Sequence, residues 1–487
     1  MRNLLKTIGT GVFALMFALS CTNDMHRSIE LDSSKEDVEI IANPFAIEKD
    51  VAIVVGSQFL DALEEAEIMN GKGISLRSSA DKKNDLASVS EKNFNVKIME
   101  QSSRELEVKQ VIPVYTINYK DNSNESNGFV VIAGDERIKD NIIIFGDNGD
   151  FDFSQRDDVD FMEDLISGYL FYQINSKEFN NENGITTRAK YSVDYGRSYT
   201  YMVSQFNDFN TTGDPFTRYT PFISGNRAMA GCTAVAMSEI MAWHVWPLQG
   251  ACKRYKSNGA LETAYISYAL TSAEKSSLRS NNFAYWAAYY PNLLEYVANL
   301  LIETGYKLNQ NYGIGSSYAY PSDVPAVFQQ MGYTSSLYKS FKLADIQNDI
   351  DKIDGSEIPV FMAGWKNEND PYFYNPPGEN GGHAYVITGT YYMDYNTPNP
   401  LGIYIQVRNG NGSSGIWWDP VSGYGQTWFN HLLFTNTNIT PSYNPTLLDE
   451  IVYPYRYKCG LITNIKPNLS NTGSTNPNWR VANTYPF

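Results

Sequence analysis

The sequence predicts an α+β protein in two parts, on three observations. Acidic charge is uneven: residues 1–188 hold 33 Asp and Glu against 19 Lys and Arg, a net −14, while residues 189–487 hold 21 against 19, a net −2. All eight tryptophans, from Trp243 to Trp479, lie in the second part. The order of elements also changes, from strand runs flanked by helical patterns to helices followed by strands. A break of this kind marks a domain boundary. The predicted bounds are an export signal over 1–21, a tether over 22–45, a first domain over 46–188, a second over 189–466 and a tail over 467–487.

Taken in order, the export signal has Arg2 and Lys6 as its basic start, an apolar stretch from Ile8 to Leu19, and small Ser20 before Cys21. The tetrapeptide "ALSC" has the form of a bacterial lipoprotein cleavage box, which predicts a lipidated Cys21. Ordinary signal cleavage is the alternative, because Leu19 stands where a smaller residue is commoner. The polar tether gives way at Val51 to "VAIVVGSQFLDAL", a predicted helix. Next, "VIPVYTINYK", "GFVVIAGD" and "NIIIFGD" are β-branched and aromatic runs between Asn, Asp and Gly clusters, which predicts antiparallel strands. From Asp157 to Phe179 helical spacing returns, with Phe161, Leu165, Tyr169 and Tyr172 on a common side. "NNENGITTRAKYS", Asn180 to Ser192, reads as an exposed linker, and its Arg188 and Lys190 suit a trypsin-like or self-inflicted cut. In the second part, residues 232–246 and 292–306 read as helices. "IPVFMAGW", "HAYVITGTYYM", "GIYIQVRNG", "IWWDPVSG" and "TWFNHLLF" then read as strands.

A chain of 487 residues with 43% hydrophobic content can bury one large core or two ordinary ones. A formal charge of −16 excludes non-specific nucleic-acid binding, which needs a basic surface. After the signal no apolar run reaches the roughly 20 residues of a membrane-spanning helix, so contact with the membrane is expected only through a lipid anchor. The expected location is the cell envelope, or the medium after release. With Cys21 lipidated, Cys232, Cys252 and Cys459 remain, an odd number that leaves a thiol outside any intrachain pair. No Cys/His cluster has zinc spacing, and acidic turns such as "NNENG" and "KNEND" lack the spacing of a calcium loop. "GIGSSYAYPSD" lacks the lysine of a phosphate loop and reads as a turn. No metal or cofactor is expected.

One stretch carries chemistry. In "AGCTAVAMSEIMAWHVWP", Ala230 to Pro247, a glycine and Cys232 open a helical pattern. Most free cysteines are buried and inert, so a nucleophile needs both activation and a base. A helix start favours the thiolate, and an imidazole can take the proton and return it to a leaving group. Of four histidines, His26 lies in the tether, and His244 lies 12 residues along the same helix, roughly 18 Å away at 1.5 Å per residue. His383 and His431 remain. His383, in "ENGGHAYVITGTYY", is favoured, since two glycines admit close backbone approach and a strand follows.

"GCTAVAMSEIMAWHVWP" and "GGHAYVITG" together resemble the streptopain family of bacterial cysteine peptidases. "VIPVYTINYKDNSNESNGFVVIAGDERIKDNIIIFGDNGDFD" is similar to the family's inhibitory propeptide, including its Gly-Phe-x-x-x-x-Gly-Asp element, and "CGLITNIKP" is similar to its last strand. The resemblance implies a papain-like fold, with a Cys-bearing helix against an antiparallel sheet bearing the His, and a propeptide over 46–188. It implies Cys232 as nucleophile, His383 as general base and acid, and protein or peptide substrates. "SQFNDFN" matches the family's Gln-x-x-Pro-Tyr-Asn in part, which implies Gln205 as oxyanion donor; Asn226, six positions before the cysteine, is the runner-up. Asn409 stands where the family orients its histidine, but Gly410 follows in place of the usual Trp, so an aromatic shield must come from Trp417 or Trp418. Such a loss slows an enzyme rather than abolishing it. The alternatives are another Cys–His acyl-transfer enzyme, or an inactive papain-like lipoprotein that binds a partner.

Overall fold

The computed structural model describes residues 39–70, 85–98, 108–120, 126–138, 140–146, 149–153, 159–175, 195–203, 217–278, 289–314, 317–352, 356–366, 383–395, 401–409, 427–434 and 457–468. In the first part, β1 (Glu39–Ile41) leads to α1 (Lys49–Asn70), then β2 (Asp85–Ile98), β3 (Val108–Lys120), β4 (Ser126–Ala133), β5 (Ile142–Gly146) and α2 (Val159–Asn175). Strand alternation divides this unit between two covers. In β4, Val130 and Ile132 pack with Val55, Phe59 and Leu60 of α1, while Phe129, Val131 and Ala133 belong to the core that includes Leu165, Tyr169 and Leu170 of α2. Both faces of β4 are covered, so Phe129–Ala133 is an unbroken apolar run. The helix α1 comes close because Gly56 has no side chain: a Cβ there would sit 2.8 Å from the Tyr119 hydroxyl. The buried face of α2 centres on Leu165, Ile166, Tyr169, Leu170 and Ile174, with Tyr172 only half-buried.

The second part begins with β6 (Tyr195–Met202) and a short hairpin, β7 (Phe222–Ile223) and β8 (Asn226–Arg227), before α3 (Cys232–Trp243). A second hairpin, β9 (Gln249–Tyr255) and β10 (Leu261–Ser267), leads to α4 (Ser272–Leu278), α5 (Pro291–Lys307) and α6 (Val324–Gln330). After β11 (Tyr333–Thr334), β12 (Lys339–Ser340) and α7 (Leu343–Ile350) come the long strands β13 (Val360–Lys366), β14 (His383–Tyr395) and β15 (Leu401–Asn409). The chain closes with β16 (Thr427–Asn430), β17 (Tyr457–Ile462) and β18 (Lys466–Pro467). The helices expected over 232–246 and 292–306 thus form over 232–243 and 291–307. The stretch "IWWDPVSG" and the linker 180–192 lie outside the described residues.

One 12-stranded sheet runs β1-β3-β4-β5-β16-β15-β14-β13-β17-β12, with β2 beside β3 and β6 beside β14. Phe361 and Ala363 of β13 and Ala384 and Val386 of β14 share a core with Ala234, Val235 and Met237 of α3 and with Leu293 and Val297 of α5. Their neighbours Met362, Tyr385 and Ile387 turn to the other core, with Ile346 and Ile350 of α7. This is the α+β arrangement expected, a Cys-bearing helix on an antiparallel sheet whose strand begins with His383. No helix among the described residues is long and apolar enough to cross a membrane.

Candidate active site

The site is built around the start of α3. Gly231 has φ 82° and ψ 132°, a conformation that side-chain-bearing residues avoid. The first helical bond runs from the Val235 amide to the Gly231 carbonyl at 3.0 Å, which makes Cys232 the first helical residue. Amides of that first turn have no carbonyl one turn back to bond, so they and the helix dipole favour negative charge beside them. Small Ala234, Ala236 and Ala242 let the helix sink into the core: every residue from Thr233 to Ala242 is buried, while Cys232 is half-buried.

Two other predicted positions lie at strand ends of the sheet on which α3 packs. The helix α3 packs on β13 and β14. His383 is the first residue of β14 and pairs with Gly364, and its successor Ala384 lies in the core shared with α3. Asn409 closes β15 opposite Tyr385, two residues beyond His383. Gln205, Cys21, Trp417 and Trp418 lie outside the described residues. Asn226 is exposed, in the hairpin of β7 and β8, beside the turn at Ser224 and Gly225.

The remaining thiols and imidazoles have structural surroundings. Cys252 is buried in β9 with its thiol directed at the Asn299 carbonyl, 3.4 Å away, and burial with nearby Glu303 pushes it far above the ordinary 9.0. Cys459 is buried in β17, and burial pushes its thiol up to about 12. His244 caps the far end of α3 and donates from Nε2 to the Ile465 carbonyl at 2.9 Å. His431 opens a 3-10 turn and donates from Nδ1 to the Ile403 carbonyl at 3.0 Å; burial lowers its basicity. His26 lies outside the described residues.

The loop expected to be a bare turn holds the approach to Cys232. The Met229 amide donates to the Gly313 carbonyl at 3.0 Å, and the Ser317 hydroxyl donates to the Met229 carbonyl at 2.8 Å. Gln310 donates from Nε2 to the Ala230 carbonyl at 2.7 Å. The two ends of the loop are tied by reciprocal bonds between Asn311 and Tyr318 at 2.9 and 3.0 Å. A Cβ on Gly231 would lie 2.8 Å from the Gln310 amide, so the glycine is required by contact as well as by backbone conformation. Nothing in the sequence pattern of this stretch says that Gly313 and Ser317 bond to Met229. A half-buried thiol at a helix start is the feature here that suits nucleophilic chemistry.

Residues 210–411 match the model of the Peptidase C10 family. Streptopain of Streptococcus pyogenes is 26% identical over 289 residues, covering 54% of this chain and 66% of the relative, just under two thirds of its length. Among solved structures, a fragment of Prevotella intermedia prointerpain A bearing a cysteine-to-alanine change is 14% identical, over 76% of this chain and 98% of its own, with a TM-score of 0.40. Active wild-type interpain A, a cysteine protease of the same organism, is 18% identical over 49% of this chain and 96% of its own, with a TM-score of 0.29.

Proposed function

We propose that this chain, a member of the streptopain-like cysteine peptidase family, is an endopeptidase made as an exported zymogen. It acts on protein substrates, with Cys232 as nucleophile and His383 as general base and acid. Residues 46–188 serve as the inhibitory propeptide until the linker near Arg188 is cut, and Cys21 carries a lipid anchor in the cell envelope. The observation that carries the reading is the start of α3: Cys232 is its first residue, and α3 packs on the strand that His383 begins.

In this mechanism the Cys232 thiolate attacks the scissile carbonyl carbon, and the carbonyl oxygen takes the charge. The Cys232 amide and the Gln205 side chain donate to that oxyanion. His383 protonates the leaving amine as the tetrahedral species collapses to a thioester. Water then gives a proton to His383 and attacks the thioester, releasing a carboxylic acid and the thiol. Asn409 holds the imidazole in a working orientation.

Residues 22–487 and a Cys232→Ala twin, followed by gel and mass spectrometry under reducing conditions, test this. The wild type is expected to lose a fragment ending within residues 180–200 and then to cleave casein, while the twin does neither. If casein stays intact after trypsin has cut the wild type and has then been inhibited, the peptidase reading fails. A weak or inactive binding lipoprotein is then the reading left, and Gly410 after Asn409, where the family has Trp, is what favours it.

A further inference from the structure

We infer that the first part, once the linker is cut, stays on the second as a tightly bound subunit, so that the mature enzyme has two chains. The sheet is the first reason. The strand β5 pairs with β16 in the middle of the sheet, with Gly146 opposite Thr427, Phe145 opposite Trp428 and Ile144 opposite Phe429. Taking the first part away would turn β16 into a bare edge carrying two fully buried aromatics.

Both faces are shared as well. Phe145 lies at the centre of an aromatic cluster drawn from both parts, with ring centroids 4.9 Å from Phe59, 5.2 Å from Tyr404, 5.6 Å from Tyr391 and 6.1 Å from Trp428. Tyr391, Met393, Tyr404 and Trp428 are each 0–1% exposed, in one core with Val55, Phe59 and Leu60 of α1. On the other face, α2 packs on the 3-10 turn His431–Leu433. Asp140 closes the seam with charged hydrogen bonds, accepting from the Tyr404 hydroxyl at 2.7 Å and from Asn430 Nδ2 at 2.6 Å. A seam with a paired strand, two apolar faces and a half-buried polar tie resembles a domain interior cut in half, as permanent interfaces do.

The cluster around Cys232 differs in its make-up. Among the described residues every member of it, from Val203 to Ile465, comes from the second part. Among the described residues, the core on which Cys232 packs is thus separate from the seam between the two parts. Only the activity arm of the test below rests on the peptidase reading.

A recognition sequence for a site-specific protease is placed within residues 180–192 of the Cys232→Ala chain, and the cut protein is run on size exclusion with light scattering. The expected result is one species with the mass of the uncut chain that shows two bands on a denaturing gel. It should part only in concentrated urea, and at a lower urea concentration when Phe145→Ala is present, while the uncut Phe145→Ala chain stays a single species. Two separate peaks in plain buffer would overturn the inference. In the wild type, casein cleavage should elute with both fragments together; activity confined to fractions without the first part overturns it. The co-elution is read on the inactive chain, so a silent wild type counts against the peptidase reading alone.

Discussion

The start of α3 and the middle of β9 each hold a cysteine, and the two could hardly be housed more differently. Cys232 is half-buried, the first residue of a helix whose opening amides face outward from the turn. Cys252 is fully buried, directed at a carbonyl and close to the Glu303 carboxylate, all of which oppose a thiolate. Cys459 repeats the second case in β17. The lesson is that placement decides which thiol is suited to chemistry. Burial on one side and helix amides on the other act on identical groups in opposite directions.

The comparison breaks most easily on reactivity. At pH 7, with the linker cut, iodoacetamide should label Cys232 and leave Cys252 and Cys459 untouched until the protein is unfolded. With its thiol pushed to about 12, Cys459 holds roughly a thousandfold less thiolate than an ordinary thiol, before access is considered. Mass spectrometry of the labelled peptides reads this directly. Comparable labelling of Cys252 in the folded state would mean that the burial contrast does not govern these thiols.

A smaller effect tests how the Cys232 side of the comparison is maintained. Gln310 fixes the Ala230 carbonyl, and its Oε1 is buried with no hydrogen-bond partner among the described residues. Gln310→Leu keeps the bulk and removes that orphan acceptor, but it leaves the buried Ala230 carbonyl without this donor, so a stability loss of about 1–3 kcal/mol is expected. Loss of the tether lets the Gly231 turn relax and should lower kcat about tenfold with KM nearly constant, since an ångström of misplacement is costly in catalysis. The pH dependence of Cys232 alkylation should shift as well. Unchanged kcat and an unchanged alkylation profile would reduce the loop to packing.

That loop also marks where the sequence stopped being legible. The helices at 232–243 and 291–307 and the strands β13 to β15 are evident from apolar periodicity and β-branched runs. Cys232 and His383 stand out in the sequence because motif and chemistry point to them, whereas Asn409 is followed by Gly410 where the motif has Trp. Three other strands do not stand out. Asp85–Ile98 is mostly polar, with Phe94 and Val96 as its buried positions, and it is a strand because β3 pairs with it along its length. The hairpin of β9 and β10 did carry a signal, Asn258 before Gly259 at φ 79°, but charged residues around it hid the alternation. Gln310 and Ala230 are 80 residues apart, and no local pattern records such a contact.

The weakest expected effect asks whether burial also dominates for a carboxylate, as it does for the two silent thiols. Asp349, at the end of α7, is buried, and burial raises it above its ordinary 3.8; the Asn464 amide, donating to it at 2.5 Å, and nearby Lys352, Lys466 and Lys339 pull the other way. A carboxyl raised in the folded state holds its proton more tightly there than in the unfolded chain. Its contribution to stability is therefore fully present below pH 3.8 and is lost as pH rises through the folded value. Asp349→Asn, which can still accept from Asn464, has no such loss. Thermal melts of the parent and the variant at matched pH should show the variant gaining on the parent as pH rises from 4 to 7. A gap that stays constant, or shrinks, would mean that the amide and the lysines outweigh burial at this site. Buried groups here would then have to be judged by their partners first and by their depth second.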